Sequence, residues 1–135
     1  MSALHHFLGI RRAVALWESR ADAELGAVHG IGLSDFAVLY ALAQAPGGRL
    51  RRVDLARRVA LTASGVTRLL APLERRGIVT REEDGQDARA TYAVLTQNGQ
   101  RLAAEATTTV QAIAESTLAA LGDRERAAFE RLAMP

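Results

Sequence analysis

The sequence has no cysteine and no lysine, and only 4% of its residues are aromatic. Without cysteine the chain can form no disulfide, no thiolate metal site and no thiol-based redox sensor. It also lacks a run of about eighteen consecutive apolar residues, which a membrane-spanning helix would need. The first residues, MSALHHFLGIRRAV, do not show the basic segment, apolar run and cleavage site of a secretory signal. We therefore expect a soluble, cytoplasmic protein.

Residues suited to metal binding or catalysis are scarce as well. The three histidines are His5, His6 and His29, and the adjacent pair projects to different sides of a helix. Ser64 is followed by Gly65, but no strand–turn–helix pattern of a nucleophile elbow surrounds it. No glycine-rich stretch matches a dinucleotide-binding or phosphate-binding loop. We expect no metal site, no cofactor and no enzymatic activity.

The 135 residues suffice for one ordinary domain, and their net charge of +2 conceals an uneven distribution. Between Arg49 and Arg89, ten arginines stand against six acidic residues, whereas the flanking segments hold seven against nine. All 17 basic residues are arginine, which a compositional bias of the source genome would also produce. Each guanidinium can nevertheless make forked contacts to phosphate or to guanine. The centre of the chain is therefore the candidate for binding an anionic partner.

Hydrophobic periodicity predicts a long amphipathic helix at each end of the chain, over residues 3–28 and 97–121. Between them we expect a helix that is capped by Ser34, with Asp35 in its first turn, and that runs to about residue 43. A short helix is expected over residues 52–59.

Two residues are expected to mark helix boundaries near the C-terminus. Gly122 should end the long C-terminal helix, and Asp123 should cap a last short helix.

The segment LTASGVTRLLAPLERRGIV, residues 61–79, predicts a helix with two unlike faces. Thr62 is placed to accept a hydrogen bond from a free N–H of the first turn. A solvated outer face would more often carry Glu and Lys, whereas this one is small and hydroxyl-bearing at its start, which favours close approach to another molecule. The apolar face consists of Val66, Leu69, Leu70 and Leu73, and the outer face of Ser64, Thr67, Arg68, Ala71 and Arg75.

Two residues in this helix are costly for helical stability. Gly65 lowers helix propensity by roughly 1 kcal/mol; either a side chain there would collide with a binding partner, or the glycine packs against the neighbouring helix. Pro72 removes a hydrogen bond to the carbonyl of Arg68, so we expect a kink between these two residues.

The segments IVTREE and ARATYAVLT are rich in β-forming residues and flank DGQD, which predicts a β-hairpin. A short helix, a tight connection, a second helix with a polar outer face and then a hairpin is the order of a winged helix-turn-helix. The predicted fold class is therefore mainly α with a small β-hairpin wing. In that architecture the second helix enters the major groove of DNA through its N-terminal residues.

This architecture assigns DNA contacts to three places. Arg51 and Arg52, before the first helix, are placed for phosphate, and Arg68 can reach guanine O6 and N7. Arg89 in the wing is a candidate for the minor groove, and Asp87 is expected to orient Arg89 or to pair with a neighbouring arginine. The complete predicted set is Arg51, Arg52, Thr62, Ala63, Ser64, Thr67, Arg68, Arg75, Gln86, Asp87 and Arg89.

At these residues the chain resembles the MarR family of multiple antibiotic resistance regulators. The resemblance covers LARRVALTASGVTRLLAPLERRGIV, the wing signature Asp87-Ala88-Arg89, and Leu95-Thr96 with Gly99 beyond it. It departs from the family at Gln86, where many members are basic, at Arg51 in place of a hydroxyl cap, and at Ala60 in place of a turn glycine.

The resemblance implies a homodimeric transcription factor, usually a repressor, that binds a pseudo-palindromic double-stranded DNA site. It implies an N-terminal dimerisation helix over residues 1–30, a DNA-binding lobe over 31–97 and C-terminal dimerisation helices over 98–135. The long apolar stripes at both ends independently favour a partner chain, because too little else is available to bury them.

Many relatives bind a small aromatic or phenolic compound between the dimer helices and the DNA-reading lobe. Trp17, His29, Phe36 and Tyr40 could line such a cleft, although aromatic residues at helical spacing more often belong to a core. The alternative function is a ligand-binding or protein-interaction helical module without specific DNA binding. Salt-dependent binding of duplex DNA distinguishes the two, because a DNA reader loses affinity steeply as salt rises.

Overall fold

The computed structural model describes residues 1–87 and 89–134, in which the chain forms six α-helices and a three-stranded antiparallel sheet. The predicted class, mainly α with a small β-hairpin wing, is confirmed. Ala88 of the wing signature and Pro135 lie outside the described residues. In chain order the elements are α1 (Ala3–His29), α2 (Leu33–Gln44), β1 (Arg49–Arg51), α3 (Arg52–Arg58), α4 (Ala63–Arg75), β2 (Val79–Glu83), β3 (Thr91–Leu95), α5 (Gln97–Leu118) and α6 (Asp123–Ala133).

The core is built around α2, which is apolar on nearly every side and packs against α1, α3, α5 and the sheet. Leucine and valine side chains from most elements meet there without exposed area, as expected of a chain with few aromatic residues. The largest fully buried side chains are Leu25, Val38, Leu39, Leu42, Leu55, Val66, Leu70, Leu73 and Val79.

The sheet has the strand order β1-β3-β2. The predicted hairpin is formed by β2 and β3, with Glu83 opposite Thr91 as its last pair, so residues 84–90 make a longer loop than a tight turn at Asp84-Gly85 would give. Strand β1 was not expected from the sequence. It is only three residues long, with Leu50 opposite Ala93, and such a segment is too short to display a strand period.

Three helix boundaries differ from the predicted ones. Helix α2 is capped by Gly32, because the carboxylate of Asp35 accepts a hydrogen bond from the Gly32 N–H at 2.9 Å and Ser34 already lies inside the helix. Gly122, not Asp123, is the N-cap of α6, and α5 ends at Leu118 rather than at Gly122. Asp123 instead occupies the first turn, where its charge complements the helix dipole.

The N-terminal half of α1 has little contact with the rest of its own chain. The buried residues of this helix are Ala21 and Leu25, both in its C-terminal part. The exposed apolar side chains of its N-terminal half are Leu4, Phe7, Leu8, Ile10, Val14 and Leu16. This face is too apolar to be explained by scattered surface residues alone.

Within the residues that the structure describes, no individual helix combines the length and apolar character needed to cross a membrane. Only α1 and α2 taken together, across a bend of 74°, meet that criterion by length and composition.

Candidate nucleic-acid interface

Helix α4 begins where the sequence predicts. Thr62 is its N-cap, and Thr62 Oγ1 accepts a hydrogen bond from the backbone N–H of Gly65 at 3.0 Å. Val66, Leu70 and Leu73 bury the inner face of the helix in the core. The Thr62 cap therefore fixes the start of α4, and the core fixes the face that the helix turns outward.

The outer face of α4 carries the side chains predicted to approach a partner. Ser64, Thr67, Arg68 and Arg75 are all exposed. Thr67 Oγ1 donates to the carbonyl of Ala63 at 3.0 Å, so this hydroxyl follows the helix surface. Thr62 and Ser64 place their hydroxyls 3.2 Å apart. The first two turns thus present a surface of small polar side chains, and the long side chain of Arg68 projects from it.

The surroundings of Gly65 bear on one of its two explanations. A Cβ atom at this position would lie 3.2 Å from Thr62 Oγ1 and 3.7 Å from Leu61 Cβ, both at the start of the same helix. Packing against the neighbouring helix α3 therefore does not require a glycine here, and a collision with a binding partner stays a prediction. Helix α4 continues through Pro72 to Arg75; the kink at this proline stays a prediction.

The connection between α3 and α4 is as tight as the short sequence ALT indicates. Ala60 adopts a left-handed conformation with φ of 55°, which glycine adopts at less cost than any other residue. The N–H of Leu61 then donates to the carbonyl of Ala56 at 2.9 Å, which closes the turn. An alanine at a left-handed position is strained by about 1–2 kcal/mol.

Arg51 and Arg52 stand where β1 passes directly into α3. Arg52 Nη2 lies 3.4 Å from Glu74 Oε1, and burial together with the nearby charge of Arg81 lowers the pKa of Arg52. Arg51 Nη2 lies 2.6 Å from Asp84 Oδ2. Both predicted phosphate contacts are therefore already paired with a carboxylate inside the chain.

The wing loop is ordered by its own aspartates. Asp84 Oδ1 accepts from the backbone N–H of Gln86 at 2.9 Å, and Asp87 Oδ1 accepts from the backbone N–H of Arg89 at 3.0 Å. The predicted orienting role of Asp87 thus acts on the backbone of Arg89, and among the described residues Asp87 forms no ion pair with an arginine. Gln86, Asp87 and Arg89 are all exposed.

Three of the predicted arginines converge on one concave surface. A cavity of about 380 Å³ between the start of α3 and the wing is lined by Arg51, Arg52 and Arg89, together with Asp87. A surface with several guanidinium groups and an open mouth suits a phosphate group. The sheet thus brings together residues that are up to 38 positions apart in the chain.

Sequence reasoning missed residues whose role depends on pairing across the sheet. Tyr92 stands opposite both Arg51 and Glu82, and the guanidinium of Arg49 lies over its ring at 4.0 Å. Arg49 also pairs with Glu82 at 3.1 Å. The alternation Arg49-Leu50-Arg51 is the one signal that could have indicated this charged outer face.

The four residues predicted to line a ligand cleft have different neighbours within the single chain. Phe36 and Tyr40 share a cleft with Leu132 of α6. Trp17 packs edge-on against the ring of Phe129 at 6.4 Å instead.

His29 is placed apart from that cleft as well, because its Nε2 lies 2.7 Å from Thr109 Oγ1. His29 also lies far from Trp17, because the two residues are separated by roughly 18 Å along α1. Phe36 and Tyr40 are the part of the predicted ligand site that the fold keeps together.

Comparison with known proteins places this geometry in a family. Residues 29–90 match the MarR family model, which covers the end of α1 through the wing loop that precedes β3. The transcriptional regulator HosA of Escherichia coli is 32% identical over 97 residues, which are 72% of this chain and 70% of HosA. The regulator YkoM of Bacillus subtilis is 37% identical over 71 residues, 53% of this chain and 45% of YkoM.

Solved structures agree over nearly the whole chain. Sco3205, a MarR family regulator from Streptomyces coelicolor crystallised with DNA, has a TM-score of 0.88 at 24% identity and covers 98% of this chain and 84% of its own. PcaV from the same organism, crystallised with its natural ligand, has a TM-score of 0.78 at 26% identity, covering 98% and 89%. Because the sequence match to HosA and the fold agree, the chain belongs to the MarR family of transcriptional regulators.

Proposed function

We propose that this protein is a homodimeric transcription regulator that binds a pseudo-palindromic double-stranded DNA site and acts as a repressor. The observation that carries the proposal is the outer face of α4, where Ser64, Thr67 and Arg68 are exposed beside a wing that carries Arg89. A helix held by a buried apolar face and lined outside by small residues is suited to the major groove. Sco3205, which has the same fold, was crystallised with DNA.

The proposal assigns DNA binding and dimerisation to different parts of the chain. Residues 31–97 form the lobe that contacts DNA, with α4 in the major groove and the wing alongside. Residues 1–30 and 98–135 hold two protomers together. The exposed apolar half of α1 supports this division, since Phe7 is 67% exposed and Leu4 is 66% exposed in the single chain. Two reading helices related by a dimer axis would lie about 34 Å apart, one turn of DNA.

Control by a small aromatic ligand is part of the same proposal. The cleft that contains Phe36 and Tyr40 lies next to Ala60, in the turn between α3 and α4. Their rings are 5.7 Å apart and tilted, and could accept a planar compound. A ligand bound there would act directly on the connection that aims α4. PcaV and BpsR of Bordetella bronchiseptica are relatives in fold whose structures concern a natural ligand and 6-hydroxynicotinic acid, respectively.

We further propose that the protein has no enzymatic activity of its own and works in the cytoplasm. A group of three or more His, Asp or Glu side chains that could hold a metal ion is not found in the described ranges 1–87 and 89–134.

The experiment that tests the function is selection of bound fragments from a pool of random duplex DNA. Enrichment of one motif with two-fold symmetry is the expected result, and the enriched duplex should lose affinity steeply as salt rises. The Arg68→Ala variant, selected in parallel, should lose preference at one base pair of each half-site. A pool that remains random after several rounds would overturn the proposal and favour a helical module that binds ligands or proteins.

A further inference from the structure

Side chains from all three strands meet on the outer face of the sheet. Arg51, the last residue of β1, stands directly opposite Tyr92 of β3. Glu82 of β2 stands opposite the same tyrosine on its other side. Directly opposed residues share a face of an antiparallel sheet, so one tyrosine lies between a cation and an anion. Asp84, at the start of the wing loop, lies within reach of the same cluster.

The three side chains of this cluster contact one another, and the ion pair between Arg51 and Asp84 is the shortest of these contacts. Arg51 Nη2 lies 2.6 Å from Asp84 Oδ2, and Arg51 Nε donates to Tyr92 Oη at 3.4 Å. The Tyr92 hydroxyl donates to the same Asp84 oxygen at 3.5 Å. Charge-assisted hydrogen bonds of this length are stronger than neutral ones. We name Arg51, Asp84 and Tyr92 the wing brace.

Asp84 connects the brace to the loop that carries Arg89. Its side chain is only 10% exposed, while that of Arg51 is 44% exposed. Its second oxygen accepts from the Gln86 N–H at 2.9 Å, and its own N–H donates to the carbonyl of Ala90 at 3.1 Å. Asp84 therefore contacts both sides of the loop and also the guanidinium of Arg51, which precedes α3.

We infer that the wing brace fixes the wing relative to α3 and α4, and that Asp84 thereby strengthens DNA binding although its own charge repels phosphate. Arg51 acts within this brace as a positioning residue. The inference rests on the proposed DNA-binding function. The inference goes beyond that function in one respect, since it assigns a favourable effect on DNA binding to an acidic residue in the wing.

Electrostatics alone predicts the opposite sign for Asp84. Removing a negative charge close to DNA raises affinity, because fewer phosphates are repelled. Removing a brace lowers affinity, because the wing then has more conformations to lose on binding. The sign of the change in affinity therefore decides between the two effects.

The test compares Asp84→Asn with Glu83→Gln, using the duplex recovered by the selection described above. Glu83 is the neighbouring residue, is exposed and lies on the other face of β2, and it forms no ion pair within the described residues. Both variants lose one negative charge. We expect Asp84→Asn to weaken binding by about two- to fivefold, the range of a partly exposed ion pair, and Glu83→Gln to bind as well as the parent protein or better.

A double-mutant cycle with Arg51→Gln gives the second measurement. If the brace holds Arg51, this change costs less affinity in the Asp84→Asn background than in the parent. The slope of log affinity against log salt should stay unchanged in Asp84→Asn, since no phosphate contact is lost. Thermal unfolding at fixed protomer concentration shows that both variants remain folded.

Two outcomes overturn the inference. One is tighter binding by Asp84→Asn in step with Glu83→Gln. The other is additive effects of Arg51→Gln and Asp84→Asn, which would make Arg51 an independent phosphate contact. If the parent protein itself enriches no duplex, the proposed function fails instead, so the two failures are distinguishable.

Discussion

The guanidinium of Arg76 donates a hydrogen bond from Nη1 to the carbonyl oxygen of Gly30 at 2.9 Å. Gly30 ends α1 in a left-handed conformation with φ of 68°, and Arg76 is the C-cap of α4. One side chain therefore ties the end of the long N-terminal helix to the end of the helix that faces outward. The neighbouring Arg75 is exposed and has no such bond among the described residues.

Replacing Arg76 should therefore destabilise the fold, whereas replacing Arg75 should not. We expect Arg76→Ala to lower the free energy of unfolding by about 0.5–1.5 kcal/mol, the usual value of one hydrogen bond. Arg75→Ala removes the same charge and should change it by less than about 0.5 kcal/mol. Chemical denaturation at one protomer concentration measures both. Equal losses in the two variants would show that the bond to Gly30 contributes nothing.

Gly65→Ala should lower the affinity for DNA while leaving the stability of the protein nearly unchanged. The new methyl group adds helix propensity worth about 1 kcal/mol but meets Thr62 Oγ1 at 3.2 Å, so the net change in stability should be small. In a close protein–DNA interface an extra methyl group should cost about 1–3 kcal/mol, as overpacking does in cores. Gly26→Ala, in α1 with no atom within 4 Å of the added carbon, is the matched control. Titration of the selected duplex gives the answer; undiminished affinity of Gly65→Ala would place this turn outside the groove.

Arg68→Ala should reduce both affinity and selectivity. Loss of a direct contact to a guanine edge costs about 1–3 kcal/mol and relaxes preference at that base pair. Arg101→Ala removes an exposed arginine from α5, outside the proposed DNA-binding lobe, and should leave selectivity intact. Binding to a panel of single-base variants of the selected site measures the difference. A uniform loss across the panel would identify Arg68 as a phosphate contact.

Ala60→Gly should stabilise the protein. The left-handed φ of 55° strains alanine but not glycine, and the gain should be about 0.5–1 kcal/mol after the added flexibility of the unfolded chain is subtracted. Ala112→Gly makes the same chemical change at an exposed position inside α5, where it should destabilise by about 1 kcal/mol. Opposite shifts in thermal midpoint are expected. A lower midpoint for Ala60→Gly would mean that the turn is not strained.

Asp84 should make stability fall in acid. The hydrogen bond from the Gln86 N–H, followed by the charge of Arg51, holds the pKa of Asp84 below its ordinary value in the folded chain. The stabilisation is therefore present above about pH 4, the unfolded value, and is lost as the pH falls through the lower folded value. We expect the stability difference between the parent and Asp84→Asn to shrink across this interval. Urea unfolding at several pH values checks this, and a constant difference would contradict it.

The sequence predicts helix α4 well because the evidence for this helix is local. Thr62, the period of the apolar residues and the small outer side chains all lie within 19 residues and impose one orientation on α4. The long terminal helices are predicted for the same reason. Caps are predicted less well, since Asp35 reaches back to the Gly32 N–H and moves the start of α2 ahead of Ser34.

Contacts between residues that are far apart in the chain cannot be predicted from this sequence. Periodicity shows which side of a helix a residue occupies but not which element covers that side, so it does not predict that Trp17 and His29 each have a neighbour on a C-terminal helix. That these two residues line one ligand cleft with Phe36 and Tyr40 stays a prediction. The three-residue strand β1 has the same explanation, because the residues that pair with it are 41 to 45 positions away in the chain.

Strand β1 is followed by α3 without an intervening residue. Since β1 is also hydrogen-bonded to β3, the chain from Arg49 to Leu95 returns to its own beginning. The two helices between these strands, α3 and α4, therefore lie in a segment whose ends are joined by the pairing of β1 with β3. Under the proposed function, a ligand bound beside Ala60 would act on the turn inside this closed segment, and α4 would change its direction while the sheet stays intact.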